Sequence, residues 1–405
     1  MPDDLSCRVV STIGGVEQLR ADWHALLERS PRSTLWQAPE FLLPWWRHMA
    51  RGRELRIFVV ERDSQPCLIM PLQLTNLTRA FGFKLLALEP VGMPLDVNRP
   101  RLGVGPDDPA AYACALEEIW RRRDEWHVMR IFEIAQDDPE LDVLRLFAAE
   151  RGLKLRQRFL HLSPWLDLRQ SWERYIEGRG AKLRKNLRVA RRRLEERGAV
   201  TLRSFESPLA IHEGYALLLA LYLRSAKKGR GIEHDAAAYT RFQGAWLDSM
   251  AALGRARILV LFVGAPSKVL PECAELHASP VGVSSSLWER APARDSSPAP
   301  ERPVAATLAF TDDNTYYSAQ IVHDAEFNAC SPGTLLESLE LEDLMRSGRF
   351  ATYDFMGSFL NNKLRWTDTA TRTSQVYVFR KSLRCRALEV YAFAIKPLLR
   401  RFLSL

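Results

Sequence analysis

Helical and strand-like periodicities alternate along this chain in the same order twice, which restricts it to a layered α/β architecture. In the first third, Val16, Leu19, Trp23, Leu26 and Leu27 recur at helical spacing and predict a helix over 16–28, and an aromatic helix follows around Trp45 and Trp46. Residues 55–61 and 66–74 read as two strands about a turn at Asp63-Ser64; 110–123 reads as a helix and 127–134 as a strand. The series then restarts. It gives a strand at 165–168, a helix over 180–197 stopped by Gly198, a strand at 200–205, helices at 212–225 and 236–253, and strands at 257–263, 305–310 and 315–323. Such alternation calls for an α/β (α+β) fold with mixed twisted sheets flanked by helices. With 405 residues the chain is long enough for two cores. The expected division is an N-terminal domain at 1–155, a second at 156–385 interrupted at 264–303, and a basic amphipathic tail at 386–405. The interruption is rich in Ser, Pro and Ala and has too little apolar material to order itself.

The net charge of +8 favours acidic partners such as nucleotide phosphates, anionic lipids or RNA. Much of it lies in the 180–197 helix, where Arg184, Arg188, Arg191 and Arg192 share a side: a phosphate-binding stripe or a solvated face. In the tail, Tyr391, Phe393, Ile395, Leu398, Leu399 and Phe402 interleave with Lys396, Arg400 and Arg401. That pattern suits an anionic membrane surface as well as it suits docking onto the domain. No apolar run reaches the length of a membrane span, and acid follows Met1, so the expected location is cytoplasmic, with peripheral membrane contact through the tail. The six cysteines show no metal-like spacing.

Chemistry concentrates near the C-terminus. Ser331-Pro332-Gly333-Thr334 opens a helix: serine to cap, proline for the first turn, and glycine for close approach to the backbone. Its free amides form either an anion site or simply a well-capped start. Leu335, Leu336 and Leu339 are expected in the core, with Glu337, Glu340 and Asp343 facing water. Strand parity places Tyr317, Ala319, Ile321 and His323 on one face, and sets Asp354 opposite Tyr353 and Phe355. Asp354, with Tyr317 or His323 near it, can move a proton from an attacking amine, or can merely cap a turn. Lys363 can neutralise a developing oxyanion, Arg365 can grip a carboxylate or phosphate, and Trp366 implies that the segment packs down.

These strings together resemble the CelD/FemAB-like group of GNAT-superfamily acyltransferases associated with bacterial cellulose and exopolysaccharide biosynthesis. Trp36-Gln37-Ala38-Pro39-Glu40-Phe41, Pro71-Leu72, the segment at 95–100, Trp172 with the basic helix, Ser331-Pro332-Gly333, Tyr353-Asp354-Phe355 and Lys363-Leu364-Arg365-Trp366 carry the resemblance. It implies two tandem GNAT-like domains, the second active, passing an acetyl or longer acyl group from acyl-CoA to an amine or hydroxyl of a small or sugar-linked acceptor. Ser331, Gly333 and Thr334 would hold the donor phosphates. Asp354, Lys363 and Tyr317 would be catalytic, and Arg365, Trp366, Arg184 and Arg188 would contact substrate. The Gln/Arg-x-x-Gly-x-Gly/Ala loop of ordinary GNAT enzymes is absent, which keeps open a Fem-type ligase using aminoacyl-tRNA. A non-catalytic partner of a polysaccharide synthase is the third alternative.

Overall fold

The computed structural model describes residues 5–30, 32–77, 82, 85–93, 101–225, 236–264, 301–357 and 363–395. The segments read above at 95–100 and 396–405, and all but the ends of the insertion at 264–303, lie outside the described residues. Twelve strands form one mixed sheet in the order β1-β2-β3-β4-β5-β12-β6-β11-β10-β9-β8-β7. The sheet carries the same motif twice.

In the first half, β1 (Leu5–Val10), β2 (Arg53–Arg62), β3 (Gln65–Asn76) and β4 (Leu86–Pro90) form an antiparallel meander. Helix α4 (Pro109–Arg121) then crosses over to β5 (Val128–Ala135), which lies parallel to β4. In the second half, β7 (Val200–Phe205), β8 (Ala256–Val263), β9 (Arg302–Thr311) and β10 (Thr315–His323) repeat the meander. Helix α10 (Pro332–Ser347) crosses to the parallel β11 (Thr352–Asp354). One long strand, β6 (Lys154–Asp167), joins the halves. Its first part pairs with β12 (Ala370–Phe379), which is inserted beside β5, and its last three residues pair with β11.

The helix expected over 16–28 is broken at Leu19 into α1 (Ile13–Gln18) and α2 (Arg20–Glu28). Helix α3 (Pro39–Met49) begins at Pro39, the favoured first position. It presents Phe41 and Trp45 to a core shared by both halves. There Trp36 meets Trp246 of α9 (Ala236–Ala252) at 5.1 Å and Tyr317 at 6.2 Å, and Trp246 stacks on Phe310 at 4.0 Å. Area burial by such rings adds to the continuous sheet in holding the halves together.

The charged face expected on α10 is corrected at Glu340. Leu336, Glu340 and Leu344 follow one another at four-residue spacing on the buried stripe, and Glu340 is fully inaccessible. Its carboxylate accepts hydrogen bonds from Thr307 of β9 (2.8 Å), Tyr316 of β10 (2.7 Å) and Tyr353 of β11 (2.7 Å). Burial raises its pKa, opposed by those hydroxyl donors and by Arg257. Replacing it by Ala orphans three buried hydroxyls and leaves a void. Glu340→Ala should therefore lose about 3 kcal/mol or more in urea denaturation followed by circular dichroism; an unchanged midpoint would show that the clamp is dispensable.

Candidate active site

Strands β10 and β11 pair only at Thr315↔Thr352, Tyr316↔Tyr353 and Tyr317↔Asp354, whereas β10 runs on to His323. Strand β11 ends at Asp354, and beyond Tyr317 no strand among the described residues covers that edge of β10. A bulge between Ser318 and Gln320 adds a twist and reverses the side-chain alternation. Tyr317 therefore faces the shared core and a cleft, while His323 and Ile321 come up beneath α10: a Cβ on Gly333 would lie 3.3 Å from His323 Nδ1 and 3.7 Å from Ile321 Cδ1. The common face expected for Tyr317 and His323 is thus corrected by one inserted residue. His323 bonds Asn328 at 2.8 Å.

The start of α10 stands beside this part of β10. Ser331 occupies the N-cap position but is left-handed (φ 51°), and its side chain makes no capping bond, contrary to the expected serine cap. The Gly333 amide has no hydrogen-bond partner among the described residues. The matching helix of the first half is closed: the Asp108 carboxylate accepts from Ala110 N (3.0 Å) and Ala111 N (3.3 Å) and pairs with Arg62 (2.8 Å). One crossover helix can therefore receive an anion, and the other already holds a carboxylate.

Cations surround the open end. Arg365 donates to Thr334 Oγ1 at 2.8 Å, Arg193 donates to the Ala329 carbonyl at 2.6 Å, and Lys363 donates to the Met356 carbonyl. Gly357 (φ 60°) and Met356 (φ 53°) make a left-handed turn after β11, and Asp354 Oδ1 fastens it by accepting from Met356 N at 2.8 Å. Trp366 is fully buried. It packs with Tyr353 and Phe355, donates to Glu337 at 2.5 Å, and takes hydrogen bonds on its carbonyl from Tyr175 (2.6 Å) and Arg179 (3.2 Å). Its place is in the core, anchoring the Lys363–Arg365 turn.

Helix α7 (Ala181–Glu195) lies against α10, and Arg184, Arg188 and Arg191 line a groove of about 460 Å³ between them. Arg184 is committed to the end of α6 (Trp172–Gly178), donating to the carbonyls of Glu177 (2.7 Å) and Arg179 (2.5 Å). Arg188 is exposed. Cys330 is buried behind Arg193 and so is no accessible nucleophile.

The opposite face carries the reverse charge. A cleft of about 620 Å³ between the halves is lined by Glu28, Asp137, Asp138, Asp312, Asp313 and Asp354, against Arg32, Arg101, Arg255 and His24. The arginines are held by acids: Arg32 by Asp107, Arg255 by Asp313, and Arg101 by Asp107, Asp138 and Glu140. Tyr317 lines this cleft and donates to Asp312 Oδ2 at 2.7 Å; Asp312 also accepts from Asn314 N and Thr315 N. Asp354 lies beside Tyr317 in the register, with its residue fully inaccessible. Sequence periodicity did not single out Asp312 or Arg193. The one available signal was the Asp312-Asp313-Asn314 turn before β10.

Residues 181–266 and 299–363 match the family model of the acetyltransferase (GNAT) domain, so this part of the second half is similar to a GNAT domain. No curated protein matches the sequence. Among solved structures the chain is similar in fold to FemX (TM-score 0.58, 10% identity, 91% of this chain and 97% of that one). It is also similar to a conserved protein of unknown function from Bacteroides thetaiotaomicron (TM-score 0.52, 11% identity, 90% and 97%).

Glu337, expected to face water, is instead half-buried under Trp366. Burial raises its pKa from 4.5 to about 7; the Trp366 N–H opposes the rise, Glu340 adds to it, and Arg365 and Lys363 oppose it. With the folded value above the unfolded one, its favourable contribution is complete below about pH 4.5 and is lost as the pH rises through 7. Relative to the parent, Glu337→Gln should therefore gain about 2 kcal/mol between pH 5 and pH 8 in paired urea titrations. A pH-independent difference would refute the shift.

Proposed function

We propose that the chain transfers an acyl group from acyl-CoA to an amine, with the donor entering at α10 and the acceptor entering through the acidic cleft. One observation carries this reading: pairing of β10 with β11 ends at Tyr317↔Asp354, and that same pair lines the cleft. The two approaches therefore converge on one register step. The acyl-CoA pyrophosphate would rest on the Gly333 amide and the Thr334 hydroxyl, with Ser331 at the rim and Arg365 and Arg193 supplying charge. Its thioester would lie along the edge of β10 beyond Tyr317. Of the acceptor nucleophiles, an amine suits the cleft better than a hydroxyl, because a protonated amine is drawn into excess carboxylate. It must shed its proton before attack, and Asp354, or Tyr317 through Asp312, can take it. The amine nitrogen then attacks the thioester carbon and the C–S bond breaks. Lys363 offsets the negative charge on the carbonyl oxygen, and the CoA thiolate leaves with a proton.

The resemblance to the CelD/FemAB-like group makes an envelope-polysaccharide precursor the acceptor class we favour, with the protein at the cytoplasmic side of a membrane. Exposed Lys182, Lys185, Arg188 and Arg192 on α7 favour a second reading, in which aminoacyl-tRNA is the donor.

Calorimetric titration with acetyl-CoA and with charged tRNA separates the readings. Ser331→Asp places a carboxylate at the open helix end, as Asp108 does in the first half. It should leave the fold at least as stable yet weaken acetyl-CoA binding by about tenfold or more. Asp354→Asn should keep donor affinity while acetyl transfer to primary amines falls about 100-fold or more. Tight tRNA binding without acetyl-CoA binding would move the assignment to the ligase. Binding of neither would leave a non-catalytic partner.

A further inference from the structure

We propose that the outward face of the C-terminal helical segment, residues 381–395, seats the protein on an anionic lipid surface. Helix α11 (Leu383–Val390) runs on into a wider π-helical turn, Tyr391–Ile395. The inward side is fully occupied. Cys385, Leu388 and Phe393 pack on Leu85, Val128, Tyr377 and Phe379, and Arg158 holds the Ala392 carbonyl at 3.0 Å. The outward side is apolar and exposed. Leu383, Ala387, Val390 and Ala394 follow helical spacing, and Leu383 is 85% exposed, Val390 47% and Ile395 44%.

Charge decides the occupant. Lys381, Arg384 and Arg386 flank the stripe, are exposed, and make no ion pair among the described residues. The segment's acid, Glu389, is turned inward and neutralised by Lys154 and Arg156, each at 2.7 Å. Apolar side chains on one exposed line, bordered by unpaired cations with the carboxylate removed to the far side, match the boundary between lipid chains and anionic headgroups. The ten residues that follow contain Lys396, Arg400 and Arg401 and no acid. This inference is independent of the acyl-transfer reading, because the segment packs on the first half of the sheet.

The test is co-sedimentation of the full chain with phosphatidylcholine vesicles and with equimolar phosphatidylcholine–phosphatidylglycerol vesicles. The full chain should bind the anionic vesicles, release them as salt rises, and ignore the neutral ones. Leu383→Glu with Val390→Glu, and separately Arg384→Glu with Arg386→Glu, should each reduce binding by about tenfold or more without lowering the melting temperature, since all four side chains are exposed. A chain ending at Ile395 should keep the same ranking of variants. Failure to bind anionic vesicles overturns the proposal, as does equal binding by the parent and the Leu383/Val390 variant. Self-association that this variant abolishes, without vesicle binding, would assign the face to a second copy instead.

Discussion

The buried carboxylate of Glu340 holds the second half in its working shape. It ties α10 to three neighbouring strands through Thr307, Tyr316 and Tyr353. A carboxylate buried at this depth persists because its acceptor sites are filled by hydroxyl donors. The consequence is geometric. With β10 and β11 locked at Tyr316 and Tyr353, their pairing ends one step later at Tyr317↔Asp354, and α10 is held with Gly333 beside His323 and Ile321 of β10. The Tyr317–Asp354 step, the turn to Lys363 and the Trp366 anchor all take their positions from that lock.

The two halves share a topology but differ at the feature that matters for chemistry. In the first, the Asp108 side chain takes the amides of Ala110 and Ala111; in the second, Ser331 adopts a left-handed backbone, makes no side-chain cap, and leaves the Gly333 amide without a partner among the described residues. A left-handed serine without a capping bond forgoes stabilisation that an ordinary cap would supply, which is the sort of local cost found at binding sites. Charge follows the same division: arginines and a lysine gather around the open helix, and carboxylates gather in the cleft behind it. In the proposed reaction this division would draw an anionic donor and a cationic acceptor to opposite sides of the Tyr317–Asp354 step.

Much of this was legible in the sequence because periodicity and turn chemistry are local. The repeated helix–strand order, the basic helix, Pro332 at the start of α10 and the opposition of Asp354 to Tyr353 all follow from spacing. Three features did not, for separate physical reasons. The bulge at Ser318–Gln320 inserts one residue without any composition signal and flips His323 to the α10 side. Glu340 lies on the leucine stripe, but a charge was expected to face water; only the hydroxyls of three distant segments make its burial tolerable. Strand β12 and the full length of β6 depend on pairing across the whole chain, which no local pattern encodes.

In the proposed reaction the donor sits at the second crossover helix and not the first, along the edge of β10 beyond Tyr317. Hydrogen exchange of the amides with and without acetyl-CoA tests it directly, because the first half serves as an internal control. The account predicts slowed exchange at residues 318–323 and 333–335, with no change at 110–112. Protection at 110–112, or none at 333–335 under saturating donor, would contradict it.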